Sequence, residues 1–310
     1  MGVSHWDEVE ERRNAKGEMD ATWQAIGDAA GTRGVGVHRV RVEPGKLPTP
    51  PHSHGASEEL YFVLAGSGLA WQDEVVHEVR PLDCVIHRAD EHEHTFVGGP
   101  DGLEYIVFGT RHPTEIGWLP RSRAIRIGWP WAEGRDDNPW DIEATVPPLE
   151  VGEPAPRPEN IVNVDEIELQ THRHQTFAYF TPDATTKLAG LGWETLPAGH
   201  RGSVPHCHSA EEEIFVILDG TATLELWHHD GGVEETPLRA GHLVDRPPGS
   251  GVSHSFRAGP DGVTMLVYGT RDPNDMCWYP RSNKIKWRGL GVIGRIEKLD
   301  SFDGEPLEDD

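Results

Sequence analysis

The chain contains 310 residues, enough for two domains that each bury a core of their own. Its 28 lysines and arginines stand against 52 aspartates and glutamates, a formal net charge of −24, so the average surface repels nucleic-acid phosphates and anionic lipid headgroups. Nucleic-acid and membrane partners are therefore not expected.

The three cysteines are Cys84, Cys207 and Cys277. They are too few, and odd in number, for a disulfide framework, which favours a reducing compartment. No apolar run approaches the roughly 20 residues that cross a bilayer, and the first residues lack the apolar region of a secretory signal. The sequence predicts a cytoplasmic protein.

In chain order, the first half contains short runs rich in Val, Ile, Leu, Phe and Tyr that are separated by Gly, Pro and Asp. The runs are GVGVHRVRVEPG, LYFVLAG, DCVIHRAD and LEYIVFGT. They are typical of strands of about five to eight residues joined by turns, as in a sandwich or a barrel, and helix signals are sparse. The sequence therefore predicts an all-β fold.

The second half repeats the first. Residues 50–66, PPHSHGASEELYFVLAG, return at 204–220 as VPHCHSAEEEIFVILDG. Residues 99–122 align without gaps to 259–282, with about half of the positions identical. An internal duplication is the simplest explanation.

A proline- and acid-rich stretch without periodicity lies between the copies and is typical of a linker. We therefore predict a first domain at 1–147, a linker at 148–160 and a second domain at 161–310.

Each copy contains a histidine pair that suits a metal ion. In the first copy, His52 and His54 are one residue apart, so on a strand both side chains point to the same face. Glu59 opens the next strand, where its carboxylate can reach the same ion. His94 is the candidate for the fourth ligand because it aligns with a histidine in the second copy, whereas His92 has a valine opposite it.

The second copy carries the equivalent set, His206, His208, Glu213 and His254. Three imidazoles and a carboxylate in one interior would be costly without an ion, so two complete sets favour metal ligands over ordinary buried polar residues. These donors suit Mn, Fe, Co, Ni or Zn rather than Mg or Ca. We predict one divalent transition-metal ion in each domain.

The motifs resemble those of the cupin superfamily. Its first motif, H-x-H, three or four residues, E, six residues, G, is matched by HSHGASEELYFVLAG and HCHSAEEEIFVILDG. Its second motif is matched less well, because Asp83, Ala89 and Glu91 replace a glycine, a proline and a glycine in the first copy, and two extra residues precede His254 in the second.

The resemblance implies a bicupin, with two tandem jelly-roll β-barrels that each hold an ion by three histidines and a glutamate. Bicupins include oxalate decarboxylases, dioxygenases and storage proteins that have lost the metal. The resemblance therefore implies a fold and a metal site without choosing a reaction.

Four protein ligands leave open positions on an ion that prefers six, which is typical of catalytic sites. We predict a metal-dependent oxidoreductase of the dioxygenase type that acts on a small organic acid or an aromatic compound. One alternative is a metal-dependent isomerase or decarboxylase. The other is a non-enzymatic protein that binds a sugar or a carboxylate.

The interior of the first barrel is predicted to be the more polar one. Strand alternation from Glu59 points Tyr61 inward, where the second copy has Phe215, and Tyr105 aligns with Met265. We predict Tyr61 and Tyr105 as catalytic residues, with the Tyr61 hydroxyl donating a hydrogen bond to an oxygen bound at the metal. The alternative is that both are ordinary core aromatics.

Arg111 and Arg271 occupy matching positions in the repeated GTR sequence. A guanidinium can grip a carboxylate through two hydrogen bonds, so both are candidates for substrate binding. The alternative is that they cap backbone carbonyls or pair with a neighbouring aspartate.

Jelly-roll sheets with an apolar outer face commonly bury it against a partner. The chain is therefore predicted to form homo-oligomers, unless its two barrels bury that face against each other as the halves of a pseudo-dimer.

Overall fold

The computed structural model describes residues 2–127, 138–182 and 185–304. Strands dominate this part of the chain, which confirms the all-β prediction. Its α-helices have five residues each: α1 (Ile26–Ala30) and α2 (Pro139–Glu143). The strands of the first half are β1 (Gly2–His5), β2 (Arg12–Lys16), β3 (Met19–Gln24), β4 (Val35–Val42), β5 (Ser53–His54), β6 (Glu59–Gln72), β7 (Val75–Val79), β8 (Asp83–His87), β9 (His94–Thr110), β10 (Ile116–Leu119) and β11 (Ala124–Ile127).

The second half follows the same plan after its first three strands. Its strands are β12 (Ile161–Asn163), β13 (Gln170–His172), β14 (Gln175–Tyr179), β15 (Ala189–Leu196), β16 (Cys207–His208), β17 (Glu213–Trp227), β18 (Val233–Arg239), β19 (His242–Arg246), β20 (Ser253–Thr270), β21 (Met276–Tyr279), β22 (Lys284–Trp287) and β23 (Val292–Arg295).

Each half folds into an eight-stranded sheet with a smaller sheet beside it. In the first half the order is β12-β8-β6-β9-β4-β3-β2, with β7 on β6, and the small sheet is β11-β10-β5. In the second half the order is β1-β19-β17-β20-β15-β14-β13, with β18 on β17, and the small sheet is β16-β21-β22-β23. The equivalent strands β8-β6-β9-β4 and β19-β17-β20-β15 have the same order. The duplication and the two tandem barrels are therefore present in the topology.

The two large sheets exchange one short strand each. β1 pairs antiparallel with β19 in the second barrel, with Gly2 opposite Asp245. β12 pairs antiparallel with β8 in the first barrel, with Ile161 opposite Val85. The domain limits at 147 and 161 stay a prediction, but strand membership crosses them in both directions.

The motif glycines occupy positions that only glycine suits. Gly66 has φ = 75° and Gly220 has φ = 74°, at irregular points of the β6–β9 and β17–β20 ladders. A Cβ on Gly66 would lie 2.2 Å from the Gly102 carbonyl oxygen, and one on Gly220 would lie 2.3 Å from that of Gly262. The glycine that ends the first motif thus permits a β-bulge in each barrel.

A shared apolar core joins the barrels. It contains fully buried side chains from both halves, and Phe108 stacks on Tyr268 with ring centroids 5.0 Å apart. The outer face of each barrel is thus covered by the other, as in the pseudo-dimer alternative. Each barrel also keeps a separate apolar interior.

Two buried glutamates form hydrogen bonds across the junction between the barrels. Glu58 accepts hydrogen bonds from the backbone N–H groups of Lys187, Leu188 and Ala189 at 2.8 to 3.2 Å. In return, Glu212 accepts from two consecutive N–H groups of the first barrel, at residues 33 and 34, at 2.9 and 2.7 Å. Glu58 and Glu212 directly precede the predicted ligands Glu59 and Glu213, so the junction and the two candidate metal sites lie at the same strand ends.

The three cysteines are buried and free. Among the described residues, none of the helices has the length and apolar character that crossing a lipid bilayer requires.

Candidate metal centres

The four predicted ligands of the first barrel converge on one point. β5 presents His54, β6 begins at Glu59, and the isolated bridge between His52 and His94 brings these two rings together. All four ligand atoms lie within 4.8 Å of one another. Glu59 Oε2 lies 3.1 Å from Nε2 of His94, 3.4 Å from that of His54 and 3.9 Å from that of His52.

The second barrel has similar distances around its glutamate, although its four ligand atoms do not form a single group. Glu213 Oε2 lies 3.1 Å from Nε2 of His254, 3.5 Å from that of His208 and 3.6 Å from that of His206. A bridge between His206 and His254 replaces the one in the first barrel. The structure therefore brings together all eight residues that the sequence predicted as ligands.

Hydrogen bonds fix the rings in the form that binds a metal. The Nδ1 atoms of His52, His94 and His206 lie 2.8 to 3.0 Å from backbone carbonyl oxygens. A carbonyl oxygen only accepts, so each Nδ1 carries the hydrogen and donates it. In the neutral form of such a ring, Nε2 keeps a lone pair that an ion can take.

Buried polar atoms without partners also fit a metal ion. His54 Nε2, His254 Nε2 and Glu213 Oε2 are buried and make no hydrogen bond in the described part of the chain. Buried polar atoms in this condition are costly unless something else satisfies them. A divalent transition-metal ion bound to these nitrogen and oxygen donors would satisfy them all.

A second layer of carboxylates holds one histidine in each barrel. Glu115 lies 3.2 Å from His54 Nδ1, and Asp275 lies 2.6 Å from His208 Nδ1. Both carboxylates also accept backbone N–H groups of the following turn. Such partners orient a ligand and raise its basicity. Neither carboxylate was predicted from the sequence, although the two align with each other in the repeated 99–122 and 259–282 segments.

These carboxylates change the protonation of the metal-free sites. Burial opposes the charged imidazole of His208, but the hydrogen bond with Asp275 and the charge of Glu213 outweigh it and raise the pKa to about 11. In the first barrel, Glu59 and Glu115 likewise outweigh burial and raise the pKa of His54 to about 10. Metal binding must displace these protons, so the affinity for the metal falls as the pH is lowered.

The two predicted catalytic tyrosines lie beside the first metal site. Tyr61 points inward and its hydroxyl donates a hydrogen bond to Glu59 Oε2, so its partner is a predicted metal ligand and not an oxygen bound at the metal. Tyr105 packs edge to face against Tyr61 with centroids 5.4 Å apart. Burial and the charge of Glu59 raise the pKa of both phenols well above the usual range, so both keep their protons. Their catalytic roles stay predictions.

A fourth histidine beside the first site was not predicted. His87 lies opposite Glu59 in the β6–β8 ladder and stacks on His94 with centroids 3.9 Å apart. It is 2% exposed and neither ring nitrogen has a hydrogen-bond partner in the described chain. In the second barrel this place belongs to Arg246, opposite Glu213. Val85 lies two residues before His87 on β8 and packs inside the first barrel, so strand alternation could have predicted that His87 points inward as well.

The two predicted substrate-binding arginines are engaged in turns. Arg111 pairs with Asp28 and donates to the Thr32 carbonyl at 3.1 Å. Arg271 donates to the carbonyls of Thr186 and Thr181. Both contacts match the alternative that these arginines bind backbone carbonyls, and substrate binding by either residue stays a prediction.

A cavity of about 730 Å³ opens onto the first metal site. His52, His54 and Glu59 form part of its wall, and Tyr61 and Tyr105 line it as well. Its other walls bring together side chains that are distant in sequence, from β2, β3, β4 and α2. The first ligand set is thus accessible to a small molecule.

No protein-family model and no curated protein matches the sequence. Solved structures do match. The oxalate decarboxylase of Lactobacillus farciminis, in a formate complex, aligns with a TM-score of 0.62 and 11% identity over 89% of this chain and 88% of that chain. A deletion mutant of Bacillus subtilis oxalate decarboxylase aligns with a TM-score of 0.61 and 13% identity over 86% and 76%.

A Bacillus subtilis oxalate decarboxylase structure from a study of its Mn(II) centres aligns with a TM-score of 0.58 and 13% identity, again over 86% and 76%. At such low identities the likeness concerns the fold. Together with the duplicated sheets and the two convergent ligand sets, it shows that this chain has the fold of a bicupin.

Proposed function

We propose that the chain is a metal-dependent enzyme whose first barrel decarboxylates a small carboxylic acid. The observation that carries the proposal is the cavity of about 730 Å³ whose wall contains His52, His54 and Glu59. Concave spaces of several hundred Å³ with a few convergent polar groups are the usual form of small-molecule sites. The structural resemblance to oxalate decarboxylases supports decarboxylation over the dioxygenase chemistry that the sequence favoured.

The charge of the cavity favours an anionic substrate. Its lining contains four arginines, Arg12, Arg13, Arg111 and Arg126, against the three carboxylates of Asp28, Glu59 and Glu115, and a bound divalent ion would add further positive charge. Grouped cations raise the local concentration of anions. A substrate carboxylate would compete with Asp28 for Arg111, which keeps this arginine a candidate for substrate binding.

Decarboxylation breaks the bond between the carboxylate carbon and its neighbour, releases CO₂ and leaves a carbon that takes up a proton. An ion held by the four ligands would supply a Lewis acid for the substrate carboxylate. Tyr61 holds Glu59 in place through its hydrogen bond. Tyr105 lines the cavity with its proton retained, and we assign it as the proton donor.

A dioxygenase is the second candidate. The cavity is lined by Trp23, Phe96 and Trp140, and such surfaces suit an aromatic substrate of the kind that the sequence analysis named. An isomerase or a protein that only binds a sugar or carboxylate would use the same cavity. Oxygen dependence and product analysis separate these alternatives.

The test is a screen of metal-loaded protein against dicarboxylic, hydroxy and aromatic carboxylic acids, with and without oxygen. Decarboxylation predicts CO₂ release without net oxygen uptake, and a product that is shorter by one carbon. Glu59→Gln is the inactive control. Stoichiometric oxygen uptake would replace the proposal by the dioxygenase, and a bound but unchanged ligand would replace it by the binding protein.

Two further properties stay predictions. Homo-oligomer formation is checked by light scattering over a range of micromolar concentrations, where a monomer alone would favour the pseudo-dimer. The cytoplasmic location is checked by fractionation of cells that contain the protein.

A further inference from the structure

The second metal site differs from the first by a thiol. β21 pairs antiparallel with β16, which places Cys277 opposite His208. The ligand atoms of His206, His208 and Cys277 lie within 4.8 Å of one another. Cys277 is 5% exposed and forms no disulfide. Its sulfur is therefore within reach of an ion that these two histidines bind.

The first barrel has no side chain at this place. There β10 pairs with β5, and Gly117 lies opposite His54. The four ligand atoms of the first barrel form one group, whereas those of the second form two groups that share His206: one with Glu213 and His254, the other with His208 and Cys277. The second ligand set is thus extended towards the thiol.

Two independent features indicate that this extended set serves a ligand. His254 is 1% exposed and its Nε2, which points at Glu213, has no hydrogen-bond partner within the described residues. Tyr279 stacks on His206 with ring centroids 5.9 Å apart, at the position of Leu119 in the first barrel. The site therefore contains a buried nitrogen, His254 Nε2, without a hydrogen-bond partner among the described residues, and the ring of Tyr279 lies beside His206.

We propose that Cys277 binds the metal ion of the second barrel as a thiolate, so that the two barrels of one chain take different metals. The first barrel offers nitrogen and oxygen donors, which suit Mn or Fe. The second offers a thiolate as well, and thiolates favour Zn²⁺ and other soft ions. Binding breaks the S–H bond, forms a metal–sulfur bond and releases the proton to solvent.

Metal-free protein titrated with Co²⁺ tests this inference, because only a thiolate ligand produces an intense sulfur-to-cobalt charge-transfer band in the near ultraviolet. We expect the wild type to show the band and Cys277→Ser to lose it. Cys207→Ser is the matched control, since Cys207 is the neighbour of both histidines but points to the opposite face of β16. We expect it to keep the band.

A reciprocal variant keeps the test independent of how well Cys277→Ser folds. A Cβ on Gly117 would have its nearest neighbour at 3.6 Å, an ordinary contact, so Gly117→Cys should be accommodated. We expect this variant to gain a second band of similar intensity when its first site is filled. No gain in the folded, cobalt-loaded variant would contradict the inference.

The affinities provide a further readout that does not depend on activity. Cys277→Ser should weaken Zn²⁺ binding at the second site by at least about 10-fold, a loss that even outer partners of a ligand cause. Mn²⁺ binding at the first site should not change. A cobalt band that survives in Cys277→Ser, or Zn²⁺ affinity equal to that of the wild type, would overturn the proposal while leaving decarboxylation in the first barrel intact.

Discussion

The two barrels share a ligand frame and its outer carboxylates but differ in the side chains that line the interior beside it. Glu59 and Glu213 lie at matching distances from their three histidines, 3.1 to 3.9 Å and 3.1 to 3.6 Å. Around that frame, the first barrel has Tyr61 where the second has Phe215, and His87 where the second has Arg246.

The difference shows which positions can be substituted after a duplication without loss of the site. The ligands lie at strand ends, where the ladder register and the Nδ1 hydrogen bonds fix each ring, so a substitution there removes the site. The side chains that line each interior can change without moving the ladder, as where Tyr61 donates a hydrogen bond to Glu59 that Phe215 cannot donate to Glu213. Two barrels of one fold can therefore have different chemistry.

The largest effect should come from removing the central carboxylate. Glu59→Ala should lower turnover by about 10³-fold or more, because a metal site supplies several kcal/mol of stabilisation to the transition state. Glu213→Ala is the matched variant in the second barrel and should leave much of the activity. Equal losses in a steady-state assay would show that the barrels are not specialised as we propose.

The number of ions per chain tests the part that the barrels share. Replacing His52 and His54 by alanine should remove one of two ions, and replacing His206 and His208 should remove the other, since each pair supplies half of a ligand set. Elemental analysis of dialysed, metal-loaded protein measures this. One ion or none in the wild type would contradict the prediction that each barrel binds an ion.

The tyrosines of the first barrel should separate into two kinds of effect. Tyr105→Phe should lower kcat by about 10²-fold, as expected for loss of a proton donor, and leave metal affinity unchanged. Tyr61→Phe should instead weaken metal binding by about 10-fold, because it removes a hydrogen bond to Glu59. Metal titrations beside steady-state kinetics make the distinction, and identical profiles for the two variants would contradict it.

The outer carboxylates should matter for affinity in both barrels alike. Glu115→Gln and Asp275→Asn should each weaken metal binding by about 10- to 100-fold, because each loosens a ligand histidine. The stability of the metal-free Asp275→Asn protein at low pH provides a second test of the contact between Asp275 and His208.

Burial raises the pKa of Asp275, but the His208 hydrogen bond outweighs it and lowers the pKa from 3.8 to about 2. Its stabilisation is thus complete above about pH 3.8 and is lost as pH falls towards 2. The stability difference between wild type and variant should therefore shrink over that interval in denaturant titrations. A difference that does not depend on pH would rule out this contribution.

The smallest effect should come from the junction between the barrels. Glu58→Gln and Glu212→Gln each weaken hydrogen bonds from N–H groups of the other barrel to a buried carboxylate, which should cost about 1 to 3 kcal/mol of unfolding free energy. We expect the larger loss for Glu58, which accepts three such bonds against two. Chemical denaturation measures both, and a larger loss for Glu212→Gln would reverse this ranking.

Local patterns were sufficient to predict the fold and to select two sets of candidate ligands that converge in the structure. The repeated H-x-H, glutamate and glycine spacing predicted two barrels and eight ligands, because strand alternation determines which side chains share a face and the bulge at Gly66 requires glycine. The dioxygenase preference had no such local basis, since reaction type depends on what lines the cavity.

By itself, the sequence determined the duplication and the all-β architecture and predicted the candidate ligands of each ion, because these depend on short-range periodicity and on spacing within a strand pair. Only the tertiary structure decided that β1 and β12 cross between barrels, that Asp275 orients His208, and that Cys277 lies beside the second ligand set. Those contacts join segments far apart in the chain. Their positions follow from how strands pair and sheets close, which no local pattern records.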